Sequence, residues 1–147
     1  MRRRLLEGGI ALDRSVLVEV VLATEGGEEL VEMILDDIVT PYTTTLNVTE
    51  ALYVLCRLLG MEEAEKRVSL MVDSGYFKVV SSDRVGRLAA ECKCLFPISI
   101  VDCHTLALAK RYSVPALFYR LERRLKPMLD DLRRWVGSEM LFLGEGQ

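Results

Sequence analysis

Short apolar, strand-prone runs alternate with amphipathic helical segments along the whole chain, and that alternation limits the possible folds more than any single motif does. The spacing predicts strands at 10–12, 38–42, 76–80, 114–119 and 140–143. Between them, helical patterns run through 15–22, 28–37, 43–59, 62–72, 82–95, 99–112 and 121–136, with Gly26-Gly27 read as the break between the first two. Asp13, Asn47 and Ser99 stand where helix N-caps are expected. Parallel strands need crossovers of about a dozen residues or more, so this order predicts an α/β fold. The expected architecture is a three-layer α/β/α sandwich around a mainly parallel, about five-stranded sheet.

The chain has 147 residues, 50% apolar and 28% charged, which suits one domain with an ample core and excludes a disordered chain. Residues 1–147 read as that domain, with 1–9 as a flexible N-terminal extension. Charges interrupt every apolar run before the ~20 residues needed to cross a bilayer, so no transmembrane helix is expected. The basic start, Arg2-Arg3-Arg4, precedes no secretory apolar segment, and a cytoplasmic protein is expected. Cys56, Cys92, Cys94 and Cys103 are too few and too uneven for a disulfide scaffold and read as free thiols. Cys92, Cys94, Cys103 and His104 lack the pairing of a zinc site. Met33, Met61, Met71 and Met128 read as core fillers.

Net charge is −3, which argues against binding nucleic acid by bulk attraction. Its distribution differs: from Lys110 to Arg134 eight basic residues face three acidic ones, a local +5. That segment suits either a phosphate-facing surface or a solvated basic helix.

Three carboxylates stand nearly alone in apolar surroundings. Asp13 follows Ile10-Ala11-Leu12, Glu50 is the sole charge between Asp37 and Arg57, and Asp102 is the sole charge between Lys93 and Lys110. A buried carboxylate without a partner costs several kcal/mol, so each needs a local cap or a shared cation. Capping explains them one at a time, with Glu50 and Asp102 three residues after Asn47 and Ser99. Convergence explains them together, because ligands of open α/β sheets bind at the carboxyl edge. Acids gathered there select Mg²⁺ or Mn²⁺, which suits phosphoryl chemistry.

The segments Leu12-Asp13-Arg14-Ser15-Val16, Asn47-Val48-Thr49-Glu50-Ala51-Leu52 and Val101-Asp102-Cys103-His104-Thr105-Leu106 resemble, in order and interval, a PIN domain of the VapC toxin type. The resemblance spans nearly the whole chain. It implies a Mg²⁺- or Mn²⁺-dependent ribonuclease that is the toxin of a toxin-antitoxin pair, with RNA as substrate, a cognate antitoxin as partner and a homodimer as its assembly. By position, Asp13, Glu50 and Asp102 match the metal-binding acids and Ser15 a supporting hydroxyl. The family's fourth acid falls where this chain has Arg120-Leu121-Glu122, so Glu122 is a displaced candidate or simply a first-turn helix acid. Arg120, Arg123, Arg124 and Lys126 are the expected RNA-backbone contacts. The displaced acid motivates an alternative, a catalytically weakened PIN-like module that binds RNA or a protein without cutting. Leu52, Tyr53, Leu55, Cys56, Leu58 and Leu59 give helix 43–59 apolar faces for a dimer or for burial in the sandwich.

Overall fold

The computed structural model describes residues 6–144. Five strands form one sheet: β1 (Gly8–Leu12), β2 (Val39–Thr44), β3 (Lys78–Val80), β4 (Ala116–Phe118) and β5 (Met140–Phe142). Their order is β3-β2-β1-β4-β5 and every pairing is parallel. The helices are α1 (Arg14–Leu22), α2 (Glu25–Leu35), α3 (Thr45–Leu59), α4 (Met61–Asp73), α5 (Gly86–Leu95), α6 (Ile100–Tyr112) and α7 (Leu129–Val136). None is long and apolar enough to cross a membrane.

The two-residue period of the strands sorts the core into two layers. Ile10 and Leu12 of β1 and Leu117 of β4 pack with α1–α4 through Leu17, Leu30 and Leu55. Ala11, Ala116 and Phe118 point the other way and pack with α5–α7 through Cys92, Leu106 and Leu132. Helix α6 is buried from Val101 to Ala109 except at His104, which is why its sequence lacks a clear polar stripe.

Several sequence expectations change. Gly8 and Gly9 are not part of an extension: they open β1, paired to Val39 and Thr40, and Leu6 is buried, while residues 1–5 lie outside the described residues. Gly26-Gly27 does not break a helix. The chain reverses at Ala23, with φ of 54°, and Thr24 caps α2 by accepting from the Gly27 amide, placing both glycines in the first turn. Gly27 is there because a Cβ would come 2.2 Å from the Glu19 carbonyl oxygen, letting α1 and α2 touch backbone to backbone.

Asn47 is not the cap of α3. Thr44 takes that role, because β2 runs directly into the helix, and Asn47 is left buried in the first turn. The helix expected over 121–136 is regular only from Leu129, because Pro127 lacks an amide proton and sits in a single turn of 3₁₀ helix at Lys126–Met128. Met61 is exposed rather than a core filler. On α3, Leu55 is buried while Tyr53 and Leu58 face outward.

Ser99 caps α6 as its sequence position predicts, accepting from the Asp102 amide at 3.0 Å. Replacing Ser99 with Ala is expected to cost about 1 kcal/mol of stability, measurable by chemical denaturation.

Candidate active site

The site lies at the carboxyl end of β1, where one neighbouring strand, β2, is the next in the chain and the other, β4, comes much later. Open α/β sheets bind their ligands at such a divergence of connections, outside the carboxyl ends of the strands. Asp13 stands immediately after β1 and caps α1, and Asp102 enters from the first turn of α6; both are 1% exposed.

The two aspartates meet through Arg14. Its Nη1 lies 3.2 and 3.1 Å from the Asp13 carboxylate oxygens and 3.0 Å from Asp102 Oδ1. Asp102 Oδ2 is buried with no hydrogen-bond partner. Burial pushes the Asp13 carboxyl above its ordinary range and Asp102 adds to this, while Arg14 and the Ser15 hydrogen bonds work against it. Burial also opposes charge on Arg14, but Asp13, Asp102 and Glu50 outweigh it and raise its pKa.

A polar framework holds Asp13 in place. Ser15 donates to Asp13 Oδ2 through its hydroxyl at 2.7 Å and its amide at 3.1 Å, while the Ser15 hydroxyl oxygen accepts from the Tyr119 amide at 3.0 Å. The end of β4 is thereby tied to the first aspartate. Thr105 donates to Asp13 Oδ1 at 2.9 Å. Asn47 donates to Thr105 at 3.1 Å and to Thr44 at 2.9 Å, and its Oδ1 accepts the Arg14 amide at 2.7 Å. One buried carboxamide thus joins α1, α3 and α6 behind the acids. Thr43 adds a bond to the Leu12 carbonyl at 3.0 Å.

Not every candidate joins this group. Glu50 is half-buried one turn along α3, near enough to act on Arg14 electrostatically. Glu122 lies on the exposed segment after β4, its carboxylate 3.3 Å from Arg124 Nε. Arg120 stacks over the Tyr119 ring at 5.0 Å, and Arg123, Arg124 and Lys126 are exposed on the same segment. Among the described residues no three His, Cys, Asp or Glu side chains converge closely enough to hold a metal ion. Cys92 of α5 and Cys103 of α6 are buried in the same core layer, and all four cysteines are free.

Asn47 and Thr105 complete the site although no motif in the sequence marks them as site residues. The available signal is helical spacing: Thr105 is the polar residue three positions after Asp102 in an apolar helix, on the same face.

The PIN domain family model matches residues 10–124, a span that begins in β1 and contains both aspartates and the basic segment after β4. This chain belongs to the PIN domain family. Three solved structures share its fold. VapC20 of Mycobacterium tuberculosis, described as a sarcin-ricin loop cleaving toxin, is 15% identical, with a TM-score of 0.61, covering 80% of this chain and 93% of its own. VapBC2 of Rickettsia felis, bound to a DNA fragment from its promoter, is 11% identical with a TM-score of 0.63, covering 91% and 96%. FitAcB of Neisseria gonorrhoeae is 18% identical with a TM-score of 0.60, covering 94% and 99%. No curated protein matches the chain.

For a PIN domain the relevant group is a divalent cation, and the chemistry of the donors fits one. Two buried carboxylates face one point, one of their oxygens is unpartnered, and Mg²⁺ is commonly held by one or two carboxylates with water and substrate phosphate completing its shell.

Proposed function

We propose that this PIN domain is a metal-dependent endoribonuclease and the toxin of a toxin-antitoxin pair. The observation that carries this is the convergence of Asp13 and Asp102 on one point at the sheet switch, with Asp102 Oδ2 left unsatisfied. Asp13 and Asp102 would hold Mg²⁺ or Mn²⁺, with Glu50 at the mouth as a further ligand or an orienter of water. The ion, when bound, would activate water and neutralise charge on the scissile phosphate. Ser15, Thr105 and Asn47 keep Asp13 aimed at that point, so little reorganisation is needed when substrate arrives. Incubation of labelled single-stranded RNA with the protein is expected to give cleavage with Mg²⁺ or Mn²⁺ and none with EDTA. Cleavage that EDTA leaves intact would contradict the reading.

Arg120, Arg123, Arg124 and Lys126 supply the phosphate-facing surface beside the site. Replacing Arg123, Arg124 and Lys126 together with Ala is expected to weaken RNA binding across sequences and to lower the magnitude of the salt slope by roughly 2, at ~0.7 per phosphate contact for single strands. A titration at several salt concentrations measures this.

The partner readings rest on other surfaces. An apolar groove formed by Val20 of α1, Val31 and Ile34 of α2 and Met71 of α4 runs beside an acidic ridge of Glu25, Glu28 and Glu32 on α2, which suits an amphipathic basic segment of an antitoxin. Tyr53, Leu58, Met61 and Leu70 are exposed on α3 and α4 and would suit a homodimer. Four free thiols accord with a reducing, cytoplasmic setting. A second reading, a module that binds RNA without cutting, is favoured by one observation: Glu122 is paired with Arg124 rather than with the aspartates.

A further inference from the structure

Arg14 is placed unlike an ordinary surface arginine. Its side chain is only 20% exposed, and its hydrogen bonds to Asp13 and Asp102 all pass through the single nitrogen Nη1. A guanidinium that pairs permanently with a carboxylate commonly uses two nitrogens in a parallel fork. Here one nitrogen is shared among three oxygens of two carboxylates, at 3.0 to 3.2 Å, and the fourth oxygen, Asp102 Oδ2, is not satisfied.

Charge and size point the same way. One guanidinium leaves two carboxylates a net −1, whereas a divalent cation neutralises them. Mg²⁺ also approaches oxygen to ~2.1 Å, so it cannot sit against these oxygens while Nη1 remains between them. The Arg14 backbone, fixed by Asn47 at 2.7 Å, does not need to move for the side chain to leave, because the guanidinium already borders solvent.

We propose that Arg14 is an internal counter-ion that competes with the divalent cation for the Asp13–Asp102 pair. It holds the two acids together when no metal is bound and must swing outward before one can enter. This rests on the metal-site reading above and adds to it a resident competitor belonging to the chain itself. Apparent metal affinity is then the intrinsic affinity reduced by the fraction of molecules in which Arg14 has left the pair.

Calorimetric titration of Mn²⁺ into the full chain tests this without reference to activity, using wild type, Arg14→Met and Asp102→Asn. If Arg14 occupies the pair 90–99% of the time, Arg14→Met is expected to bind Mn²⁺ about 10- to 100-fold more tightly than wild type. Asp102→Asn is expected to abolish binding. Wild-type binding that Asp102→Asn removes but Arg14→Met leaves equal or weaker overturns the proposal while keeping the metal site. Absence of binding in all three overturns both.

Should Arg14→Met not fold, arginine-labelled wild type gives the answer by NMR, with Arg14→Lys assigning the signal. Addition of Mg²⁺ is expected to move the Arg14 guanidinium resonance to the position of solvent-exposed arginines. An Arg14 guanidinium resonance that stays unchanged, whether Mg²⁺ is added until the Arg14 amide shift saturates or no amide shift occurs at all, overturns the proposal.

Discussion

Asp13→Asn and Asp102→Asn are each expected to lower metal-dependent RNA cleavage by about 10³-fold or more, the equivalent of losing roughly 4 kcal/mol of charge stabilisation in the transition state. Each substitution keeps the side-chain volume and removes one of two charges that face a common point. The fold should survive, since Arg14 retains the other aspartate, asparagine at position 13 can still accept from the Ser15 amide, and the Ser99 hydroxyl still caps α6. Single-turnover cleavage of labelled RNA measures the effect, with RNA binding measured in parallel. A variant retaining cleavage within tenfold of wild type would remove that aspartate from the proposed machinery. The two losses should not add, because either aspartate alone gives an incomplete seat.

Asn47→Ala is expected to destabilise the protein by roughly 4 kcal/mol and lower its Tm by roughly 10 °C. Alanine leaves the partly buried Arg14 amide without its 2.7 Å acceptor and removes the donors to Thr44 and Thr105, both fully buried. Buried groups left unpaired lose their full desolvation cost, whereas an exposed asparagine would cost almost nothing. Cleavage should fall as well, since Thr105, freed from Asn47, no longer fixes Asp13 from behind. Thermal denaturation and cleavage of the same preparation separate the two effects. A Tm within about 2 °C of wild type would show that water replaces the carboxamide and that Asn47 is not the link between α1, α3 and α6.

Much of the fold was legible because its signals are local. Strand and helix periods set the α/β order, and the parallel sheet follows from the crossovers that order requires. Asp13 and Ser99 were readable as caps because each stands just before a helical pattern. Asn47 is a good capping residue by type, but β2 extends to Thr44 and the hydroxyl there takes the cap. Its real partners, Arg14 and Thr105, lie 33 and 58 residues away, and no local pattern encodes contacts at that separation.

The site divides along the same line. Asp13 and Asp102 stood out as isolated charges, and burial with a shared partner is what isolation in an apolar frame requires. Arg14 did not stand out, since an arginine beside an aspartate is ordinary in sequence and only the approach of α6 makes it a bridge. The segment after β4 was read as the start of a long helix because its charges have helical spacing, yet Pro127 delays the regular helix to Leu129. That delay leaves Glu122 on an exposed segment, paired with Arg124.

Asp13 and Asp102 are proposed as the seat of a divalent cation. Anomalous diffraction from crystals of the full chain grown with Mn²⁺ tests it most directly. One strong peak is expected between the two carboxylates, with Asp102 Oδ2 among its ligands and the Arg14 guanidinium displaced toward solvent. A Mn²⁺ peak elsewhere, with Arg14 still bridging the aspartates at saturating metal, would contradict it.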